Sequence, residues 1–368
     1  MPSLARSAKH LKFPSERANS LAKQPARIFC VPSETSQTFL IAENEAGDRL
    51  DRVAALRHPE LSRTRIQELI EKGLILLDGH PTKGAQKVRA GQRVEVEARQ
   101  RPPVRAEAES IPLEVLYEDE DVIAVNKPAG MTVHAGAGNS RGTLVNALLG
   151  RGQALSQSND LLRPGIIHRI DKGTSGVLLV AKNDAAHAKL GEAFRQRTVE
   201  KTYLALVQGA LSQASGRIEL AIGRDPKRRT RMAVVRKTSP GAAMRTAREA
   251  RTDWMLLARI DSTSLVEVQL HTGRTHQIRV HFSALKHPVV GDTLYGATGH
   301  LHVGKIDLPT LGRNFLHAAK LGFSHPRTGE WLELRTPLPA ELRVFLETLA
   351  TAAGEDSRRI DAALAGYL

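Results

Sequence analysis

Arg163-Pro164-Gly165-Ile166-Ile167-His168-Arg169-Ile170-Asp171-Lys172-Gly173-Thr174-Ser175-Gly176-Val177-Leu178-Leu179-Val180-Ala181-Lys182 sets one carboxylate among cations, between two apolar runs. Ile166 and Ile167 fit a short buried strand and residues 177–181 a second, so two core elements hold the polar segment between them. Gly173 and Gly176 give the backbone freedom for a tight return. Arg169 and Lys172 flank Asp171, and neighbouring cations favour the ionised form of a carboxylate. Such a group is a nucleophile or an anchor, not a proton donor. Taken in isolation, the same pattern also fits a surface turn in which Asp171 pairs with Arg169 or Lys172.

Outward from this loop, composition narrows the choice. The 368 residues allow two or three domains, each able to bury a core. Lys and Arg number 53 against 39 Asp and Glu, a formal charge of +14, and the pI is near 10.1. That balance suits a polyanion partner, with nucleic acid the first candidate, although net charge alone says nothing about fold. Cys30 is the single cysteine, which excludes an intramolecular disulfide and a cysteine zinc cluster and fits a reducing compartment. No apolar run approaches the roughly 18–20 residues that span a bilayer, so a cytoplasmic protein is expected. Residues 1–37 are expected to be a basic flexible arm: over residues 1–33, Arg6, Lys9, Lys12, Arg17, Lys23 and Arg27 stand against Glu16. The same composition resembles an organellar transit peptide, which leaves that location open.

The expected domains are 38–99, a linker over 100–111, a larger domain over 112–348 and a helical tail over 349–368. In the first, Leu50, Val53 and Leu56 mark one face of a helix. Ser62 caps a second helix with Ile66, Leu69 and Ile70 inward, and Gly73 ends it. Residues 74–77, the Asp78-Gly79 turn and residues 94–96 read as short strands. Pro102, Pro103, Glu107 and Glu109 mark the linker. Beyond it, strands are expected at 113–117, 122–125, 201–207, 218–222, 232–235, 254–260 and 265–270, with helices at 143–149, 185–196 and 275–285. The strand at 201–207 is apolar on both faces and therefore central. Many sequential strands with few long helices indicate an α+β domain on a mixed, largely antiparallel sheet.

The loop around Asp171 resembles the catalytic motif of the RluA family of pseudouridine synthases, His-Arg-Leu-Asp followed by Thr-Ser-Gly, with Ile170 in place of leucine. Asn126-Lys127-Pro128-Ala129-Gly130, Lys201-Thr202-Tyr203-Leu204 and Leu270-His271-Thr272-Gly273-Arg274-Thr275-His276-Gln277-Ile278-Arg279 resemble the family's other motifs in order and spacing. Residues 38–99 are similar to the alpha-L RNA-binding module of ribosomal protein S-four. Gly223-Arg224-Asp225-Pro226, Met232-Ala233-Val234 and 133–139 look most like the RluD branch, with Ala135 replacing a proline.

The resemblance implies a pseudouridine synthase fold and isomerisation of uridine in RNA, in a large-subunit rRNA stem-loop. Asp171 would be the catalytic carboxylate, as nucleophile or as the base of a glycal route. Arg279 would pair with it, with Arg274 the fallback; Tyr203 would stack on the target base, and Arg169 would fill the space the flipped base leaves. A second, opposed carboxylate is unnecessary because no water enters the reaction, and no metal or organic cofactor is implied. Arg63 and Arg65 at the start of the second helix, and Arg224, Lys227, Arg228, Arg229 and Arg231 farther on, are the expected phosphate contacts, with Arg274 a further expected RNA contact. His276 and His281 have the spacing of a helical metal pair but lack the Glu expected between them. A monomer is expected. The same chemistry on tRNA and a non-catalytic rRNA-binding assembly factor are the competing readings.

Overall fold

The computed structural model describes residues 35–58, 61, 63–98, 106–135, 140–157, 162–228, 230–235 and 247–367. The expected arm up to residue 34, the cap Ser62, residues 100–105 of the linker and Arg229 lie outside the described residues. Contacts divide the chain into two units, 1–103 and 104–368.

In the first unit β1 (Thr35–Leu40) is followed by α1 (Leu50–Arg57), α2 (Arg63–Glu71), β2 (Ile75–Leu77), β3 (His80–Pro81) and β4 (Arg93–Ala98). The strands form an antiparallel sheet in the order β1-β4-β2-β3. Leu50, Val53 and Ala54 of α1 and Ile66, Leu69 and Ile70 of α2 meet Ile75, Val94 and Val96 in one core. The i, i+3, i+4 spacing keeps three residues of each helix on the sheet. Leu56, expected on that face, is instead 67% exposed; Ala54 takes the inward place and Leu56 lies past the edge of the stripe. Gly73, at φ +67°, closes α2 as expected. Asp78 and Gly79, at φ 51° and 77°, supply the left-handed pair that a two-residue hairpin needs.

The second unit runs β5 (Glu114–Glu118), β6 (Val122–Lys127), α3 (Leu144–Gly150), β7 (Ser175–Ala181), α4 (Asp184–Gln196), β8 (Glu200–Gln208), β9 (Ser215–Glu219), β10 (Ile222–Arg224), β11 (Met232–Val234), β12 (Arg251–Ile260), β13 (Thr263–Leu270), α5 (Gln277–Ala284), β14 (His302–Val303), β15 (Ile306–Asp307), β16 (Leu316–Ser324), β17 (Trp331–Arg335), α6 (Ala340–Ala352) and α7 (Arg358–Leu364). Nine strands form one sheet, in the order β5-β6-β7-β16-β8-β13-β12-β9, with β17 paired to β16. The β7–β16 pair is parallel and the other pairs antiparallel. The period of two divides β6 and β7 cleanly. Val122, Ala124, Val177 and Leu179 face α4, while Ile123, Val125, Leu178 and Val180 join the main core with α3, α5 and α6.

Four expectations need correction. Ile166 and Ile167 form no strand: Ile166 makes one bridge to Val180, because the preceding Pro164 has no N–H and Gly165 turns the chain at φ +71°. The run 218–222 is broken, since Ile218 pairs with Thr252 in the large sheet and Ile222 with Val234 in the β10–β11 ribbon. The helix expected from 275 begins at Gln277, and Leu285 past its end is 39% exposed. The tail expected from 349 begins inside α6, and Ile360, Leu364 and Tyr367 are buried in the same core as β8. The central strand β16 had no counterpart in the sequence reading.

Candidate active site

Asp171 sits on the loop that enters β7, at the centre of the large sheet. The loop is pinned from three sides. Gly130 donates its N–H to the Lys172 carbonyl at 2.7 Å, and Arg313 Nη1 donates to the Gly173 carbonyl at 3.1 Å and to Ser175 Oγ at 2.9 Å. A Cβ at Gly176, where φ is +117°, would stand 2.2 Å from the Ala318 carbonyl oxygen. Only glycine lets β7 lie that close to β16. His168 Nε2 accepts the Leu179 N–H at 3.0 Å, and its ring stacks on Phe194 at 4.6 Å.

Arg279, on the first turn of α5, carries two carboxylates. Its Nη1 donates to Asp171 Oδ2 at 3.0 Å, while Nε and Nη2 grip Asp292 at 2.6 and 2.9 Å. The Asp292 side chain is 2% exposed, so this is a buried fork-to-fork pair. Burial works against the guanidinium charge, but Asp292 and Asp171 outweigh it and hold Arg279 protonated. The cation partner of Asp171 is thus Arg279, not the flanking Arg169 or Lys172 of a simple surface turn.

The Tyr295 ring lies beneath two guanidinium groups, 4.9 Å from Arg279 and 5.1 Å from Arg231. Its hydroxyl accepts the Met232 N–H at 2.9 Å and lies 2.7 Å from His276 Nδ1. A phenol that accepts from Met232 can still donate its proton to His276 Nδ1, and in that tautomer the imidazole carries its own proton on Nε2. That nitrogen is 3.9 Å from Asp171 Oδ1. Burial lowers the His276 pKa, against the opposing pull of Asp171. His276 holds its place as the N-cap of α5 in the left-handed conformation, φ 58°. Gln277 beside it is buried and ties the turn together, accepting from Thr272 Oγ1 at 2.7 Å and the Arg274 N–H at 3.0 Å, and donating to the Arg251 carbonyl at 2.9 Å.

A cleft of about 520 Å³ opens over this group, lined by Arg169, Asp171, Tyr203, Arg274, His276 and Arg279. It is large enough for a nucleoside. Tyr203 projects from β8 with 8% exposure; burial, then the Asp171 charge, pushes its hydroxyl pKa up, so the phenol stays neutral. Arg169 is exposed at the mouth. Arg274 Nε donates to the Glu249 carbonyl at 3.1 Å, and burial lowers its pKa. Lys201, also lining the cleft, is lowered by burial to about 8.

The sequence-expected cations fall into separate places. Arg224, Lys227 and Arg228 are exposed on the β10–β11 ribbon, whose turn is fixed by Asp225 Oδ1 accepting the Lys227 and Arg228 N–H groups at 2.8 and 3.1 Å. Arg231 is half-buried against Tyr295 instead of free in solvent. Arg63, in the first unit, lies 3.3 Å from the buried Asp51, which also takes Arg49 and Gln67. The Arg65 side chain lies outside the described residues. The paired histidines are committed elsewhere: both His281 ring nitrogens are engaged, by Thr252 and by the Leu220 carbonyl.

Residues 121–284 match the family described as RNA pseudouridylate synthase, and residues 48–94 match the S4 domain. An uncharacterized RNA pseudouridine synthase of Chloroflexus aurantiacus is 45% identical over 318 residues, 86% of this chain and 95% of the relative. The chain belongs to the RNA pseudouridylate synthase family. A protein of Xanthomonas campestris named ribosomal large subunit pseudouridine synthase D is 41% identical over 325 residues, 87% of this chain and 93% of the relative. Among solved structures, human RNA pseudouridylate synthase domain containing 4 matches with a TM-score of 0.50 and 26% identity, over 64% of this chain and 92% of that one. The expected family, fold class and enzyme class therefore stand, and with them an RNA substrate. Asp292 and Tyr295 at this site are absent from the sequence expectations, and His276, weighed there only as half of a metal pair, stands beside Asp171 instead. In an aromatic-poor chain, Asp292 and Tyr295 within Gly291-Asp292-Thr293-Leu294-Tyr295-Gly296 were the available signal.

Proposed function

We propose that this synthase converts uridine to pseudouridine in large-subunit rRNA, with Asp171 as the catalytic carboxylate. The observation that carries the reading is the asymmetric setting of Asp171: Oδ2 is held by Arg279, while Oδ1 faces the cleft toward His276. The reaction breaks the C1′–N1 bond, forms C1′–C5, moves the C5 proton off and puts one on N1, with no net change of atoms. Asp171 serves as nucleophile at C1′ or as base at C2′, and Arg279 keeps its charge in place through either. Tyr203 gives the detached uracil a face to stack on while it turns, a contact worth about 1–3 kcal/mol. Extruding the base from a folded RNA costs a few kcal/mol, which Arg169 at the mouth offsets by entering the stack. Relatives named for the large ribosomal subunit support rRNA as the substrate.

The test is pseudouridine mapping of large-subunit rRNA treated with the wild-type protein and with Asp171→Asn. Marks are expected with wild type only, with kcat in the variant lower by about 10³-fold or more and RNA binding retained. Equal marking by the variant would refute the role of Asp171, and marks on tRNA alone would move the substrate.

A further inference from the structure

Asp171 has a second hollow on its other side. A pocket of about 840 Å³ shares Asp171, His276 and Arg279 with the first cleft and continues to the start of α6. Its walls differ from those of the uridine cleft. Leu294, Leu311, Val344 and Phe345 make it largely apolar, and two of them are unusually bare for their type, Val344 at 59% exposure and Leu294 at 37%. Exposed apolar surface of this kind beside a catalytic group marks a binding surface.

The floor is polar and incompletely satisfied. Asn314 is 7% exposed, yet its Nδ2 is buried with no hydrogen-bond partner. The Arg313 side chain is nine-tenths buried; Nη1 holds the catalytic loop and Nη2 lies 3.3 Å from Glu341, but Nε is also buried without an acceptor. Both nitrogens are closed off from the hollow as it stands, so an occupant meets its apolar walls and not these donors. The charges of the lining divide, Asp171 and Glu341 against Lys172, Arg279 and Arg313, and Arg279 and Arg313 already face those carboxylates, so the apolar walls set what the pocket takes. A flat group with large apolar faces suits these walls, Leu311 and Val344 among them.

We infer that this pocket seats the base of a nucleotide adjoining the target uridine in the same RNA strand. The inference rests on the RNA substrate of the proposed reaction. The adjoining nucleotide is covalently tied to the uridine, and the two hollows share the wall that carries the catalytic carboxylate, so a base leaving its own stack has this pocket next to it. Stacking against side chains and hydrogen bonding to the base edge are how unpaired bases are held. The pocket thus reads the target's neighbour and sets the direction in which the strand crosses Asp171.

The experiment uses an RNA stem-loop around a uridine that the wild-type synthase modifies, made intact and with an abasic nucleotide at either flank. Val344→Trp fills the pocket from an exposed position, which leaves the fold in place. For wild type, removal of the base at one flank is expected to raise KM about tenfold and at the other to change little. Val344→Trp should raise KM on the intact RNA by a similar factor and lose sensitivity to the abasic site. Indifference of wild type to both abasic sites, or effects of variant and abasic site that multiply independently, would overturn the inference. If wild type modifies tRNA and not rRNA, the substrate assignment fails, and the same comparison on the tRNA stem-loop decides the pocket.

Discussion

Arg279 is where the site's electrostatics are settled. Its planar fork spans Asp292 on one edge and reaches Asp171 with the remaining nitrogen, an arrangement that a lysine cannot copy. Without the Asp292 carboxylate the guanidinium would be free to rotate toward Asp171 and cover both its oxygens. Asp292→Asn is therefore expected to destabilise the fold by about 3 kcal/mol, since one partner of a buried pair is removed. It should also lower kcat by about 10²-fold through misplacement, with a smaller change in KM. Urea unfolding and single-turnover kinetics measure the two effects; an unchanged kcat would show that Asp292 serves folding alone. The Asp171–Arg279 pairing could be stated from sequence because both lie in motifs. Asp292 could not, because it meets Arg279 through a turn beyond α5 whose path no periodicity encodes.

At the scale of elements, the loop that carries Asp171 is tied to β7 by the side chains beside it. His168 shows how. As the acceptor of the Leu179 N–H, its Nε2 must stay unprotonated in the folded chain. Burial, assisted by Lys201, pushes its pKa down to about 3. The unfolded chain, with an ordinary histidine pKa near 6.5, binds a proton that the folded chain refuses between these values. Stability from His168 is thus complete above about pH 6.5 and is lost as pH falls toward 3, by at most about 1.4 kcal/mol per pH unit. Urea unfolding between pH 4 and 7 should give a shallower acid slope for His168→Gln than for wild type, and equal slopes would refute the buried neutral ring. At this scale the sequence was read unevenly. Alternation in 122–125 and 177–181 found β6 and β7, and helical spacing found α4. Ile166 and Ile167 misled because two apolar residues look the same in a strand and in a loop packed on one. β16 was passed over although Phe315 to Phe323 is mostly apolar, because His317 and Lys320 interrupt the run and neither polar group is explained until its neighbours are known. His317 is buried and lies 2.9 Å from Ser175 Oγ, a contact with the start of β7 that sequence order conceals.

For the whole molecule, the excess of 14 positive charges is the property RNA meets first, but the structure divides the cations by what already holds them. Arg63 faces a buried aspartate and Arg231 lies on Tyr295, so much of their charge is committed within the protein. Lys227 and Arg228 differ: they are exposed at the tip of the β10–β11 ribbon, and the turn there is held by their backbone N–H groups on Asp225, not by their side chains. Removing those side chains should leave the turn and the distant fold intact. Each phosphate contact to a duplex releases counterions and contributes about 0.9 to the slope of log K against log salt, and about 0.7 on a single strand. Replacing both Lys227 and Arg228 with alanine should accordingly weaken binding of an rRNA stem-loop and flatten its salt slope by about 1.4–1.8. The loss should be the same for stem-loops that differ only in base sequence, because phosphate contacts position the RNA without reading it. Binding titrations at several salt concentrations measure the slope. An unchanged slope would place the ribbon away from the RNA and leave its charge as solvated surface, whereas a loss confined to one sequence would make these residues readers of bases.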